Sequence, residues 1–192
     1  MMKRQLILLI ILAMLIGSLP AVSAAVPEDT IALHIGSPLI LSDGSMKSLD
    51  SENPNVVPVI HKDRTLVPLR AISEHFGAEV GYNEIKREAS IEYSGKTYYF
   101  PIGKNIYRIS ETGKQDKTIT YDTEALIIEN RTMVPLRLIA EQILGKDVGY
   151  RDKTITIGEG STEIDDAMLA DIKVKIGQVL KPRSRDELKA IL

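Results

Sequence analysis

The sequence predicts an α+β fold used twice: about five short strands and one short helix, repeated, followed by a helical tail. Three observations carry that expectation. Two stretches match without a gap at an offset of 67 residues. In each of them the apolar spacing changes from two to 3.6 at a proline. Short alternating runs bounded by turn residues flank both.

The matched stretches are RTLVPLRAISEHFG, from Arg64 to Gly77, and RTMVPLRLIAEQIL, from Arg131 to Leu144. They share Arg64/Arg131, Thr65/Thr132, Val67/Val134, Pro68/Pro135, Leu69/Leu136, Arg70/Arg137, Ile72/Ile139 and Glu74/Glu141. A short apolar run precedes each (Val57 to Ile60; Leu126 to Ile128), then a polar pair, Lys62-Asp63 or Glu129-Asn130. Asp and Asn tolerate left-handed backbone angles, so these pairs close hairpins. Pro68 and Pro135 stop the next strand and are pre-set for a first helical turn. Leu69, Ile72 and Phe76 then share a helical face, as do Leu136, Ile139, Ala140 and Ile143. Gly77 and Gly145 stand where a helix ends left-handed. The likeness extends upstream, Leu33 to Gly36 against Phe100 to Gly103. Downstream, Val80-Gly81-Tyr82 answers Val148-Gly149-Tyr150 after one inserted residue.

Taken in order, residues 1–24 read as a secretory signal: Lys3 and Arg4, an apolar run from Leu6 to Ile16, then small residues at Val22-Ser23-Ala24. Gly17, Ser18 and Pro20 interrupt the roughly 20 apolar residues that a spanning helix needs, so no stable membrane span is expected after cleavage. Ile31 to Leu41 looks like a strand and its bend, and Ser42 to Asn55 like a polar surface loop. After the first matched stretch come a hairpin, Ser90 to Tyr93 and Lys96 to Phe100 about Ser94-Gly95, and strands at Ile106 to Ser110 and Thr118 to Tyr121. The repeated domain spans 31–160, with halves of about 31–97 and 98–160. In the tail, 161–192, Ile164, Met168, Leu169, Ile172, Ile176, Val179 and Leu180 form one helical stripe, and Ser184 with Glu187 suits a capping box. Ile172 to Gly177 also alternates as a strand would, opening a truncated third repeat; helix is the favoured reading.

Bulk numbers narrow the function. The chain has 192 residues, 44% hydrophobic and 26% charged, ordinary for a globular protein. Its 24 basic and 26 acidic residues give −2, and loss of Lys3 and Arg4 with the leader takes this to −4. A nucleic-acid binder needs a basic surface, so none is expected. The absence of cysteine excludes thiolate metal sites and disulfides.

Val-Pro-Leu-Arg after an Asp/Asn-Arg-Thr turn, a short helix ending at glycine, and a Val-Gly-Tyr strand together resemble the copper amine oxidase N-terminal domain family, the stalk modules of exported bacterial proteins. The resemblance covers roughly Ile31 to Gly160. It implies a twisted antiparallel sheet wrapping a helix, outside the catalytic part of the oxidase, and hence no enzymatic expectation. The residues agree. His34, His61 and His75 are scattered, with no i, i+2 or i, i+4 pair to grip a metal, and the quinone-forming Asn-Tyr-Asp/Glu signature is missing at Tyr121-Asp122. No catalytic, cofactor or metal residue is expected.

Four residues are the candidates for ligand contact. Arg70 and Arg137 sit in a first helical turn, where a cation is disfavoured, so each needs a partner: an anion, or Glu74 and Glu141 one turn on. Tyr98 and Tyr99 point to opposite faces of one strand and offer a ring for a sugar. Arg64 and Arg131 read as turn structure. The expected function is an exported, non-catalytic module at the cell surface or outside it. Its expected partners are wall polymer, another exported protein, or itself through the 161–192 tail. The alternative is a secreted metal-binding protein or enzyme with a site between the halves, built from Arg70, Arg137, His75 and nearby carboxylates.

Overall fold

Four hairpins close on pairs of residues that both adopt positive φ, the turn whose twist matches that of antiparallel strands. They are Lys62-Asp63 (47° and 60°), Ser94-Gly95 (50° and 74°), Glu129-Asn130 (52° and 58°) and Asp152-Lys153 (49° and 64°). A computed structural model describes residues 29–42, 44–159 and 163–177. The leader, Val179, Leu180 and the capping pair Ser184/Glu187 lie outside them.

The strands are β1 (Ile31–His34), β2 (Leu39–Ser42), β3 (Ser45–Ser48), β4 (Val59–His61), β5 (Arg64–Pro68), β6 (Glu79–Asn83), β7 (Glu88–Tyr93), β8 (Lys96–Pro101), β9 (Ile106–Glu111), β10 (Lys117–Thr120), β11 (Leu126–Ile128), β12 (Arg131–Pro135), β13 (Asp147–Arg151) and β14 (Thr154–Gly158). Helix α1 (Leu69–His75) follows β5, and α2 (Asp166–Gly177) closes the described chain. They form an α+β fold of three antiparallel sheets, with strand orders β13-β14-β1-β2-β3, β10-β9-β8-β7-β6 and β11-β12-β5-β4. The expected loop at Ser42 to Asn55 is corrected by β3. Of its four residues only Met46 is apolar, so alternation was too weak to mark it.

The four-stranded sheet is where the two matched stretches meet. Val67 faces Val134, Met133 faces Pro68 and Pro135 faces Leu66. Proline ends both strands here, and neither ladder continues past it. Val67 and Val134 are fully buried, each worth about 1.5–3 kcal/mol relative to exposure. They share one core with Leu69 and Ile72 of α1, Ile139, Ile31, Ile155, Ile91 and Phe100, so all three sheets and both matched helices close over the same apolar centre.

The two helices differ. Residues Leu138–Ile143 form a π-helix, where a second α-helix was expected. Pro68 and Gly77 are nine positions apart, Pro135 and Gly145 ten. Both ends are pinned, by the strand before and by left-handed Gly77 (φ 79°) and Gly145 (φ 66°) after. The inserted residue therefore widens the winding: the Leu144 amide bonds Ile139 O at 2.9 Å, and Lys146 reaches Ala140 O at 2.8 Å.

In the tail, Ile172 to Gly177 is helical. Ile172, Ile176 and Met168 of α2 close a second, smaller core with Ala32, Leu41 and Met46 on the outer face of the first sheet. The stripe is thus covered by the chain's own sheet as far as Ile176. Arg151 Nη1 donates to Ile164 O at 2.8 Å and its other nitrogen pairs with Asp166, fixing the start of α2. Among the described residues no helix is long and apolar enough to cross a membrane.

Candidate functional site

Each hairpin tip of the four-stranded sheet is held by the loop that precedes the other hairpin. Arg64 Nε donates to Asp122 Oδ2 at 2.5 Å, and Lys62 Nζ to Glu124 Oε1 at 2.7 Å. At the other tip, Arg131 Nε donates to Asp50 Oδ2 at 2.5 Å and its Nη2 to Glu52 Oε2 at 3.1 Å, while Asn53 Nδ2 caps the turn at Glu129 O, 2.9 Å. These pairs set the local electrostatics. The Arg131 hydrogen bond holds the Asp50 carboxyl below its usual range. Lys62 foremost, with His61, pulls Glu124 down to about 2. Asp122 keeps Arg64 all the more firmly charged.

Between each tip and the helix start of the other matched stretch lies an open cleft. The first, of about 750 Å³, is lined by Arg70, Glu74 and Tyr82 on one side and Ile127, Asn130 and Arg131 on the other. The second, of about 640 Å³, is lined by Leu136, Arg137 and Tyr150 against Ile60, Asp63 and Arg64. One touches the β11–β12 side of the sheet and the other the β4–β5 side. Each exposes one tyrosine and one isoleucine: Tyr82 (38%) with Ile127 (39%), and Tyr150 (49%) with Ile60 (42%). Few large apolar side chains of the described residues are this exposed.

The candidates divide accordingly. Arg70 lines the first cleft and Arg137 the second, so the structure does not bring them together, and His75 lines neither. Arg70 Nε lies 3.4 Å from Glu74 Oε1, and Arg137 pairs with Glu141; the partner that a cation at a helix start needs is the glutamate one turn on. Tyr98 is in the core, 6% exposed, and burial raises its hydroxyl pKa; no ring face is left for a ligand there. Tyr99 is half-buried, with the Arg108 guanidinium over its ring at 4.2 Å, which occupies one face. Tyr82 and Tyr150 were not singled out from the sequence. The signal was the recurrence of Val-Gly-Tyr: alternation on a strand puts its Val and Tyr on the same side, and the valines are the cleft-lining Val80 and Val148.

Residues 51–158, more than half of the chain, match the family of the copper amine oxidase N-terminal domain, and the chain belongs to it. Comparison with curated proteins and with solved structures gave no match.

Proposed function

We propose that this chain is an exported, non-catalytic interaction module of the cell surface, holding wall polymer, and that its two related halves form one body. The single observation behind this reading is the pair of clefts, each presenting an exposed tyrosine ring and an isoleucine on strands anchored in the core. Surfaces of that kind hold ligands by shape and apolar contact, which a family module outside an oxidase's catalytic part is suited to do. The leader-like residues 1–24 would take it across the membrane. The metal-binding or enzymatic alternative has no such observation behind it, since Arg70, Arg137 and His75 do not share a cleft.

The test is a pull-down of tagged residues 25–192 against purified wall and, separately, culture supernatant. Retention by wall is expected. Capture of a defined exported protein with no wall retention would replace polymer with protein as the partner. Retention of neither overturns the reading.

A further inference from the structure

We propose that the two clefts are one carbohydrate subsite made twice, so that each chain holds two segments of an uncharged glycan. This rests on the wall-polymer reading above and adds the ligand chemistry and the stoichiometry.

The equivalence follows from register. Arg70 and Arg137, and Ile60 and Ile127, are 67 residues apart. Tyr82 and Tyr150 are 68 apart, because the π-helix absorbs one residue between them. Val67 lies directly opposite Val134 in the antiparallel ladder, and such a pair has a local two-fold axis through it. The order β11-β12-β5-β4 reads the same from either end once the matched strands are exchanged. A side chain beside one edge of this sheet therefore has its counterpart beside the other. Each cleft takes its helix-start arginine and its tyrosine from one half of the chain and its isoleucine and a hairpin arginine from the other.

The chemistry selects the ligand class. A half-exposed tyrosine on one wall and an isoleucine on the other offer apolar contact from both sides of each cleft, and the tyrosine ring suits the C–H face of a pyranose. Arg70 in the first cleft and Arg137 in the second add planar donors, and Glu74 adds an acceptor in the first, which suit neighbouring hydroxyls. Charge argues against an anionic polymer. The hairpin arginines are already satisfied, Arg131 by Asp50 and Glu52 and Arg64 by Asp122, and Glu84 adds a further carboxylate to the first cleft. A phosphate or uronate would have to displace those pairs.

The test is calorimetric titration of residues 25–192 with short uncharged glycan strands, oligomers of N-acetylglucosamine, using wild type, Tyr82→Ala, Tyr150→Ala, the double variant, and Tyr82→Phe with Tyr150→Phe. Thermal melts check that each variant folds. The expected result is two equivalent sites in wild type, one site of unchanged affinity in either single alanine variant, none in the double, and two in the phenylalanine pair. On intact wall each single variant should lose tenfold or more in retention, because linked sites reinforce each other. One site in wild type, removed by one alanine alone, overturns the equivalence and leaves the wall reading standing. Wall retention with no response to the glycan strands overturns the carbohydrate assignment. Absence of wall retention in wild type overturns the wall reading itself.

Discussion

The two five-stranded sheets have one frame and opposite surfaces. Across the first, Gly149, Thr156, Ala32, Leu41 and Met46 stand opposite one another in consecutive strands. Across the second, the corresponding row is Gly81, Ser90, Tyr99, Arg108 and Thr118. Ala32, Leu41 and Met46 are apolar and lie under α2. In the second row Arg108 covers Tyr99 and is tied to Glu88 at 3.3 Å and Asp116 at 3.2 Å, so the surface is closed by its own side chains. Whether such a sheet takes a helix or meets water is decided by two or three residues, while turns and register stay the same. The same contrast runs through the matched helices, one α and one π, and through the hairpin arginines. Arg131 has two acidic partners and 27% exposure; Arg64 has one and 49%.

The largest expected effect breaks the covered surface. Ile172→Ala should cost about 2–5 kcal/mol in urea unfolding, the range for emptying a buried aliphatic site. Tyr99→Ala on the other sheet should cost about 1 kcal/mol. Equal costs would mean that α2 is not a structural cover.

The arginines come next. Arg131→Ala takes the charged partner from Asp50, whose side chain is only 15% exposed, leaving it the Glu52 and Asn53 amides, and should cost about 1.5–3 kcal/mol. Arg64→Ala removes an exposed pair and should cost under about 1 kcal/mol. The reverse ranking in denaturant melts would contradict the comparison.

Deleting Gln142 should let the π-helix rewind as α1 does. The fold survives, with a loss of about 1 kcal/mol from the hydrogen bond that Tyr107 donates to Gln142 Oε1. Loss of cooperative unfolding would show that the extra residue is needed where it is.

The smallest effect is local and depends on pH. Burial, then Lys173 and Lys153, hold the His34 pKa below its ordinary 6.5, with Asp152 opposing them. His34 also bonds Thr154 Oγ1 at 3.2 Å. A lowered pKa stabilises the fold above the ordinary value and loses that contribution as pH falls. Amide protection in α2, which carries Lys173, should thus weaken as pH drops through 6.5. The hairpin held by Glu124, lowered from 4.5 to about 2, should keep its protection until below 4.5. Simultaneous loss at both places would refute the assignment.

Local chemistry was legible and long-range pairing was not. Lys62-Asp63 and Glu129-Asn130 announced their turns, Pro68 and Pro135 their strand-to-helix junctions, Gly77 and Gly145 their helix ends. Each depends on backbone preferences of one or two residues. The π-helix was hidden because an inserted residue says nothing about hydrogen bonding until both ends are known to be pinned. Sheet membership was hidden because alternation names a buried face and not the partner strand: β1, near the chain's start, pairs with β14, over a hundred residues later. The clefts combine both problems, bringing Tyr82 to Ile127 and Tyr150 to Ile60 across that pairing. Tyr98 and Tyr99 drew notice as a pair of rings, yet one is core and the other is covered by Arg108.

The most direct measurement is co-sedimentation of residues 25–192 with purified wall, comparing the Tyr82→Ala/Tyr150→Ala double variant with Tyr99→Ala. Release of the double variant, folded, while Tyr99→Ala remains bound is the predicted result. Release of Tyr99→Ala with the double variant still bound would place the contact on the bare sheet and contradict the role given to the clefts.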